Sequence, residues 1–454
     1  MPPRITLVLC IVFIIVLFVQ DRKYRQAETT WALWIPLLFM LILASRPLAL
    51  WLNPGLLSAL PENASDGSPA DRNFFIFLIA SGLFILFKRR LNWPYVLKSN
   101  LWAFILFIYC GFSIIWSDTP RASLNAWVKV MLVPLMALVI LTEPDIVGAT
   151  RTVLKRTTYI LIPLSVVLIK YFPAYGRSYS LHSGTPFYGG VTTYKNGLGV
   201  LCFITGLFLV WDLIYMFRNK SLLKSKTPLL VNIVLIAMIF WLLTMAQSAT
   251  AAAVFIVGTF VLIIMEMPIL KNNIKKLDIV MFSLIFLTLL IFLSFNALEG
   301  IITSLGRDMT LTGRTVIWKK VLGIDINPII GTGYGSFWLG ERGEFLLDLN
   351  WQKLTQAHNG YIETYLNLGF IGLSLLIMMI IKTYKNIKIS LVENFQYGKL
   401  ELTYMVVFLL TNVTEATFVI KSTEWFIFVL ISIHASACKQ KSIVKDSQPI
   451  TQLI

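Results

Sequence analysis

The chain has 454 residues, 57% of them hydrophobic and only 14% charged. Ordinary soluble domains carry about 45–50% apolar and about 25% charged residues, so a soluble globular protein is excluded. The net charge of +16 does not mark a nucleic-acid binder, because the lysines and arginines are spread over short loops rather than gathered on one face.

Apolar blocks suited to crossing a bilayer, which takes about 20 helical residues, occur at about 5–20, 31–52, 74–87, 101–117, 122–141, 157–172, 196–217, 229–246, 249–265, 278–297, 361–382, 402–418 and 424–437. They predict an all-α, polytopic membrane bundle of 12–13 spans, with 74–87 and 424–437 the shortest blocks. The first block resembles a signal peptide. It lacks a small-x-small site before Asp21, so we expect it to remain as the first span. Cys10, Cys110, Cys202 and Cys438 form no CxxC pair, and no disulfide framework or metal site is read from them.

Basic residues set the orientation. One alternating set of loops holds 24 of the 39 lysines and arginines, among them Arg22, Lys88, Arg151, Arg218, Lys271, Lys382 and Lys439. The short loops of the other set hold six: Arg4, Arg72, Arg121, Arg177, Lys195 and Lys421. The positive-inside rule makes the first set cytoplasmic, and 53–73, 173–195 and 298–360 then face outward. The expected organisation is an N-terminal bundle over 1–297, an extracytoplasmic loop with short helices over 298–360, and C-terminal spans with a cytoplasmic tail over 361–454. No internal repeat is evident, unlike many transporters.

The stretch from Leu305 to Leu373 is the richest in chemistry, reading LGRDMTLTGRTVIWKK, then NPIIGTGYGSFW, then AHNGYIETYLNLGFIGL. Arg307 and Arg314 lie just outside the membrane, and Thr315–Leu322 suits a helix at the interface. Gly331, Gly333 and Gly335 imply tight turns or close backbone approach, and no strand precedes them as a dinucleotide fingerprint requires. His358 opens the next span with Asn359, Tyr361 and Glu363. A neutral imidazole there can take a proton, and on position alone it could equally cap the helix.

A second outward stretch, Gly176–Gly199, is bracketed by Arg177 and Lys195 and rich in Tyr and Phe. Sugar stacking and an interfacial aromatic belt both fit it; position alone favours the belt, and leaves His182 a loop residue. Ionisable groups at depth are functional candidates: Arg46 and Lys170 can snorkel outward, which leaves Lys129 for an anionic headgroup. No DxD or ExD carboxylate pair is expected to serve a sugar-nucleotide–metal complex.

These motifs, in this order, resemble the O-antigen ligase and O-antigen polymerase superfamily, nearer still its exopolysaccharide-polymerase-like branch. They are SRP (45–47), GSPADR (67–72), WSDTPRASL (116–124), YKNGLG (194–199), AQSATAA (246–252), LGRDMTLTGRTVIW (305–318), PIIGTGYGSFW (328–338) and HNGYIE (358–363). The resemblance implies a metal-independent membrane glycosyltransferase of the GT-C type with no cofactor. Such an enzyme takes a glycan from an undecaprenyl-diphosphate carrier to a hydroxyl, of lipid A-core in the ligases and of the next repeat unit in the polymerases. It also implies membrane lipid and a chain-length regulator as partners, and the bacterial inner membrane as location.

Carried over residue by residue, the resemblance makes His358 the base and Arg314 the catalytic cation. Arg177 holds diphosphate with Arg314, and Lys129 corresponds more loosely. Arg307, Lys195, Tyr361 and Glu363 complete the expected substrate-binding set, with Glu363 placed to orient His358. Gln247–Ser248–Ala249–Thr250 departs from the family pattern, so no role is assigned to that short loop. A lipid-linked-sugar flippase is the alternative; the outward loop with its His and Arg set favours transfer.

Overall fold

The computed structural model describes residues 2–24, 29–53, 68–89, 91–179, 186–218, 226–268, 277–279, 312–343 and 355–433. The block at 278–297, the boundary at 297, Arg307, His182 and His434 lie largely or wholly outside them.

The helices run in chain order as α1 (Pro3–Tyr24), α2 (Trp34–Leu43), α3 (Leu48–Leu52), α4 (Pro69–Lys88), α5 (Trp93–Ser99), α6 (Leu101–Phe112), α7 (Pro120–Leu141), α8 (Ile146–Tyr171) and α9 (Pro173–Gly176). After a short hairpin come α10 (Lys195–Arg218), α11 (Lys226–Ala246), α12 (Ala249–Ile264), α13 (Thr312–Leu322), α14 (Gly360–Glu393), α15 (Phe395–Thr414) and α16 (Thr423–Ser432). Among the described residues seven helices are long and apolar enough to cross a membrane, and α5 with the helix after it forms a further pair bent by 92°. The all-α membrane bundle read from the apolar blocks therefore holds. α1, α4 and α11 turn apolar side chains such as Ile15, Phe84 and Phe240 outward, as lipid-facing helices do.

Local chemistry explains the boundaries. Ser68 caps α4 by accepting from Asp71 N–H at 3.3 Å, while Asp71 Oδ1 accepts from Ala49 N–H of α3. The GSPADR motif is thus a capping device that ties two helices together. Asp145, Ser248, Asn359, Asn394 and Ser422 cap α8, α12, α14, α15 and α16 in the same way. The block expected as one span at 31–52 breaks at Ser45-Arg46-Pro47, because proline cannot continue a helix and constrains the residue before it.

α10 packs against α11 and α12, α12 against α15, α14 against α15 and α6, and α16 against α7. N- and C-terminal helices share one hydrophobic core, with Trp211, Phe208, Trp425 and Phe428 fully buried. Periodicity also did not anticipate an antiparallel hairpin, β1 (Arg177–Tyr179) with β2 (Pro186–Tyr188), paired Arg177↔Tyr188.

The glycine-rich segment docks onto a break in α14. Gly369 has φ +64°, ψ −166° inside that helix, which frees backbone groups on either side of it. Thr332 N–H and Gly333 N–H donate to the carbonyls of Leu366 and Asn367 at 3.1 and 2.9 Å. Phe370 N–H and Ile371 N–H donate to those of Pro328 and Ile329 at 2.9 and 3.1 Å. Such approach needs bare backbone: a Cβ on Gly331 would lie 2.5 Å from Asn367 C. The WSDTP motif clasps the same segment from the other side, through Trp116 Nε1 to Ile330 O (3.2 Å) and Thr119 Oγ1 to Ser336 Oγ (3.1 Å), with Asp118 paired to Arg342.

Candidate active site

The ends of α2, α10, α12 and α15 and the loop before α16 surround a cavity of about 290 Å³. Its wall sets hydroxyls, amides and charges among apolar side chains such as Leu43, Val200 and Phe203: the polar groups include Ser45, Asn196, Ser248, Gln356, Glu415 and Lys421. SRP, YKNGLG and AQSATAA, scattered over two hundred residues of sequence, meet here.

Three loops around this cavity hold non-glycine residues with positive φ: Gln247 (+47°), His358 (+50°) and Val419 (+54°), the complete set among the described residues. A β-branched residue in that region is strained, and strain of this kind gathers at functional sites. Val419 is held by its carbonyl, which accepts from Tyr334 OH at 2.5 Å.

Asn359 caps α14, its Oδ1 accepting from Tyr361 and Ile362 N–H at 3.0 and 3.1 Å, and its Nδ2 donates to Val413 O. The capping role that position alone left open for His358 thus falls to its neighbour, and the imidazole turns to a carboxylate. His358 Nδ1 lies 3.4 Å from Glu415 Oε2. Arg314, in the first turn of α13, donates to Glu415 Oε1 at 2.9 Å, and Asn196 Nδ2 reaches the same oxygen at 3.3 Å. Arg314 and Glu415 are 13% and 15% exposed and His358 29%, enough to meet a ligand without being loose in solvent.

The other expected residues divide. Glu363 does not orient the imidazole: its oxygens accept from Trp338 Nε1 (2.8 Å), Asn367 Nδ2 (3.0 Å) and Ala357 N–H (2.9 Å), so it fixes the backbone just before His358. Tyr361 packs edge-on to Phe418 and donates to Leu409 O at 3.3 Å, inside the helix interface. Arg177 donates back to Ile169 O at 2.9 Å, stacks over Tyr188, and does not line the cavity. Lys195 is exposed at the start of α10, one residue before Asn196. Lys129 does not line the cavity but neighbours Lys421, which does; burial and that neighbouring ammonium push Lys421 down to about 8, with Asp71 opposing.

Arg46 does not snorkel. It is 3% exposed and donates to the carbonyls of Val191 (3.0 Å), Tyr175 (2.7 Å), Gly190 (2.7 Å) and Thr192 (3.1 Å), with Trp51 stacked against it. It pins the turn that supplies Thr192 and Asn196 to the cavity. Lys170 is exposed and rests over Trp241. The loop at 247–250, given no role from sequence, forms part of the wall. One ExD spacing does occur, Glu143-Pro144-Asp145, against the expectation of none. Glu143 is spent on Arg89 and Thr30 and Asp145 on capping α8, so the pair is structural.

Glu415 was missed because only basic residues inside apolar blocks were singled out. It falls within 402–418, where the same depth rule flags an acid. Lys421 was counted only as loop charge.

A family model described as O-antigen ligase matches residues 232–377, which takes in Ser248, Arg314 and His358. The exopolysaccharide production protein ExoQ of Rhizobium meliloti (strain 1021) is 23% identical over 295 residues, 63% of this chain and 65% of that protein. The matched region thus spans less than two thirds of that relative's length. Over these stretches the chain is thus similar to an O-antigen ligase family and to an exopolysaccharide production protein.

Proposed function

We propose that the protein transfers a glycan from an undecaprenyl-diphosphate carrier to an acceptor hydroxyl at the outer face of the bacterial inner membrane, as a polymerase of lipid-linked repeat units. The observation that carries this reading is the meeting of Arg314 and His358 on Glu415, a carboxylate that itself lines the cavity. The likeness to an exopolysaccharide production protein favours a growing glycan over lipid A-core as acceptor.

The chemistry follows from the residue types. The acceptor oxygen attacks the anomeric carbon as the bond from that carbon to the phosphate oxygen breaks, and the electron pair leaves with the carrier diphosphate. Direct displacement inverts the anomeric centre. A diphosphate departs readily once its charge is held, and the planar guanidinium of Arg314 suits that task without a metal. Lys421 in the cavity wall, with Lys129 near it, adds positive potential. The proton of the hydroxyl goes to His358, a step that contributes roughly 10²–10⁴-fold.

The test is transfer by the purified, lipid-reconstituted protein from a polyprenyl-diphosphate glycan. His358→Ala should lower turnover by about 10²-fold or more with donor binding kept. Undiminished transfer by that variant would remove His358 as base, and a flippase would show the same indifference.

A further inference from the structure

We propose that Glu415 is the positioning residue of this site, aiming the His358 imidazole and holding Arg314 in place until the donor's phosphates take it over. The inference rests on the glycan-transfer reading above.

Glu415 is oddly placed for a structural acid. It follows directly on α15, whose last residue is Thr414, and the negative end of a helix dipole disfavours a carboxylate there. Partners on other elements offset that: the Arg314 guanidinium from α13, with the Asn196 amide, at Oε1, and the His358 imidazole at Oε2. One side chain therefore sets the distance between the proposed base and the proposed anion binder, although the two come from segments more than forty residues apart. Glu363, the acid nearer in sequence, cannot replace it, since both its oxygens are engaged by Trp338, Asn367 and Ala357.

A carboxylate that accepts from Nδ1–H leaves the Nε2 lone pair to receive the acceptor's proton, and it stabilises the imidazolium once that proton arrives. Arg314 is engaged through one terminal nitrogen, so the rest of its fork is available to phosphate oxygens. Donor entry then loosens Arg314 from Glu415 and leaves the carboxylate to His358 alone. The carboxylate opposes donor binding slightly and aids proton transfer, which gives it a kinetic signature unlike that of a packing residue.

Glu415→Gln and Glu415→Asp, in the full-length reconstituted protein, test this across donor concentration, with melting temperatures alongside. Gln removes the charge; Asp is too short to reach both partners. Turnover should fall about 10–100-fold in each, the range typical of lost orienting partners, while the donor KM stays equal or drops. Turnover within twofold of the parent in either variant that melts like it overturns the proposal. So does a loss carried by a matching rise in KM. Should Glu415→Gln not fold, Glu415→Asp decides by the same criteria. Absence of any transfer by the parent protein sinks the glycan-transfer reading instead, whereas normal transfer by the variants sinks only the role of Glu415.

Discussion

Arg46 offers the sharpest test of how the cavity is held open. Its guanidinium satisfies four carbonyls, that of Tyr175 in α9 and those of Gly190, Val191 and Thr192 in the turn that brings Thr192 and Asn196 to the wall. In Arg46→Ala those acceptors lose their donor at a buried site, and each unsatisfied group costs about 1–3 kcal/mol. Water entering the vacated space recovers part of it, so a net loss of roughly 3–6 kcal/mol is expected. Arg46→Lys keeps the charge but not the planar fork, and should recover at most about half of that. Thermal unfolding of the detergent-solubilised protein, read by intrinsic fluorescence, ranks the three forms parent, Lys, Ala. Transfer activity should fall in the same order, because the turn would no longer present Asn196 to Glu415. An Ala variant that melts within about 1 °C of the parent and stays active would refute the account, since losses of this size shift melting by several degrees.

Gly369→Ala places a Cβ 2.2 Å from Ile329 O at a φ of +64°. Left-handed strain and overpacking together should cost at least about 2 kcal/mol, seen as lower melting and as cleavage of the 328–343 segment by added protease. Lys421 carries a pH signature. Its ammonium titrates at about 8 in the folded protein, below its ordinary value of 10.5, so the unfolded chain binds more protons between those limits and stability from this group rises with pH across them. Lys421→Gln should be more stable than the parent at pH 7, with the gap closing from pH 8 to 10.5. A gap that is flat with pH in paired melting curves would remove the buried-ammonium account.

Much of this was legible in the chain itself. Spans such as 122–141 and 196–217 announce themselves because lipid demands an apolar exterior and internally satisfied backbone. Arg314 and His358 stand out as polar chemistry beside such spans, and the close approach read from Gly331 and Gly333 is what the structure shows. What stayed hidden depends on pairing across distance. Nothing near Glu415 in sequence says that it faces residues 314 and 358. Arg46 reads as an edge charge until the carbonyls of 190–192 are seen around it. The β1–β2 hairpin is too short for any two-residue period to register.

The seam between the 328–333 segment and the broken α14 carries a consequence for evolution and engineering. Four main-chain bonds cross it, and they answer for the polar groups that the interruption at Gly369 would otherwise leave bare. His358 stands just before the N-cap of α14, whose first turns lead to that interruption, so the proposed base is carried on the helical segment that the seam anchors. Adding or removing one residue inside 328–333 or inside 366–371 would put the paired groups out of step, which makes length within those two short segments less tolerant of change than side-chain identity.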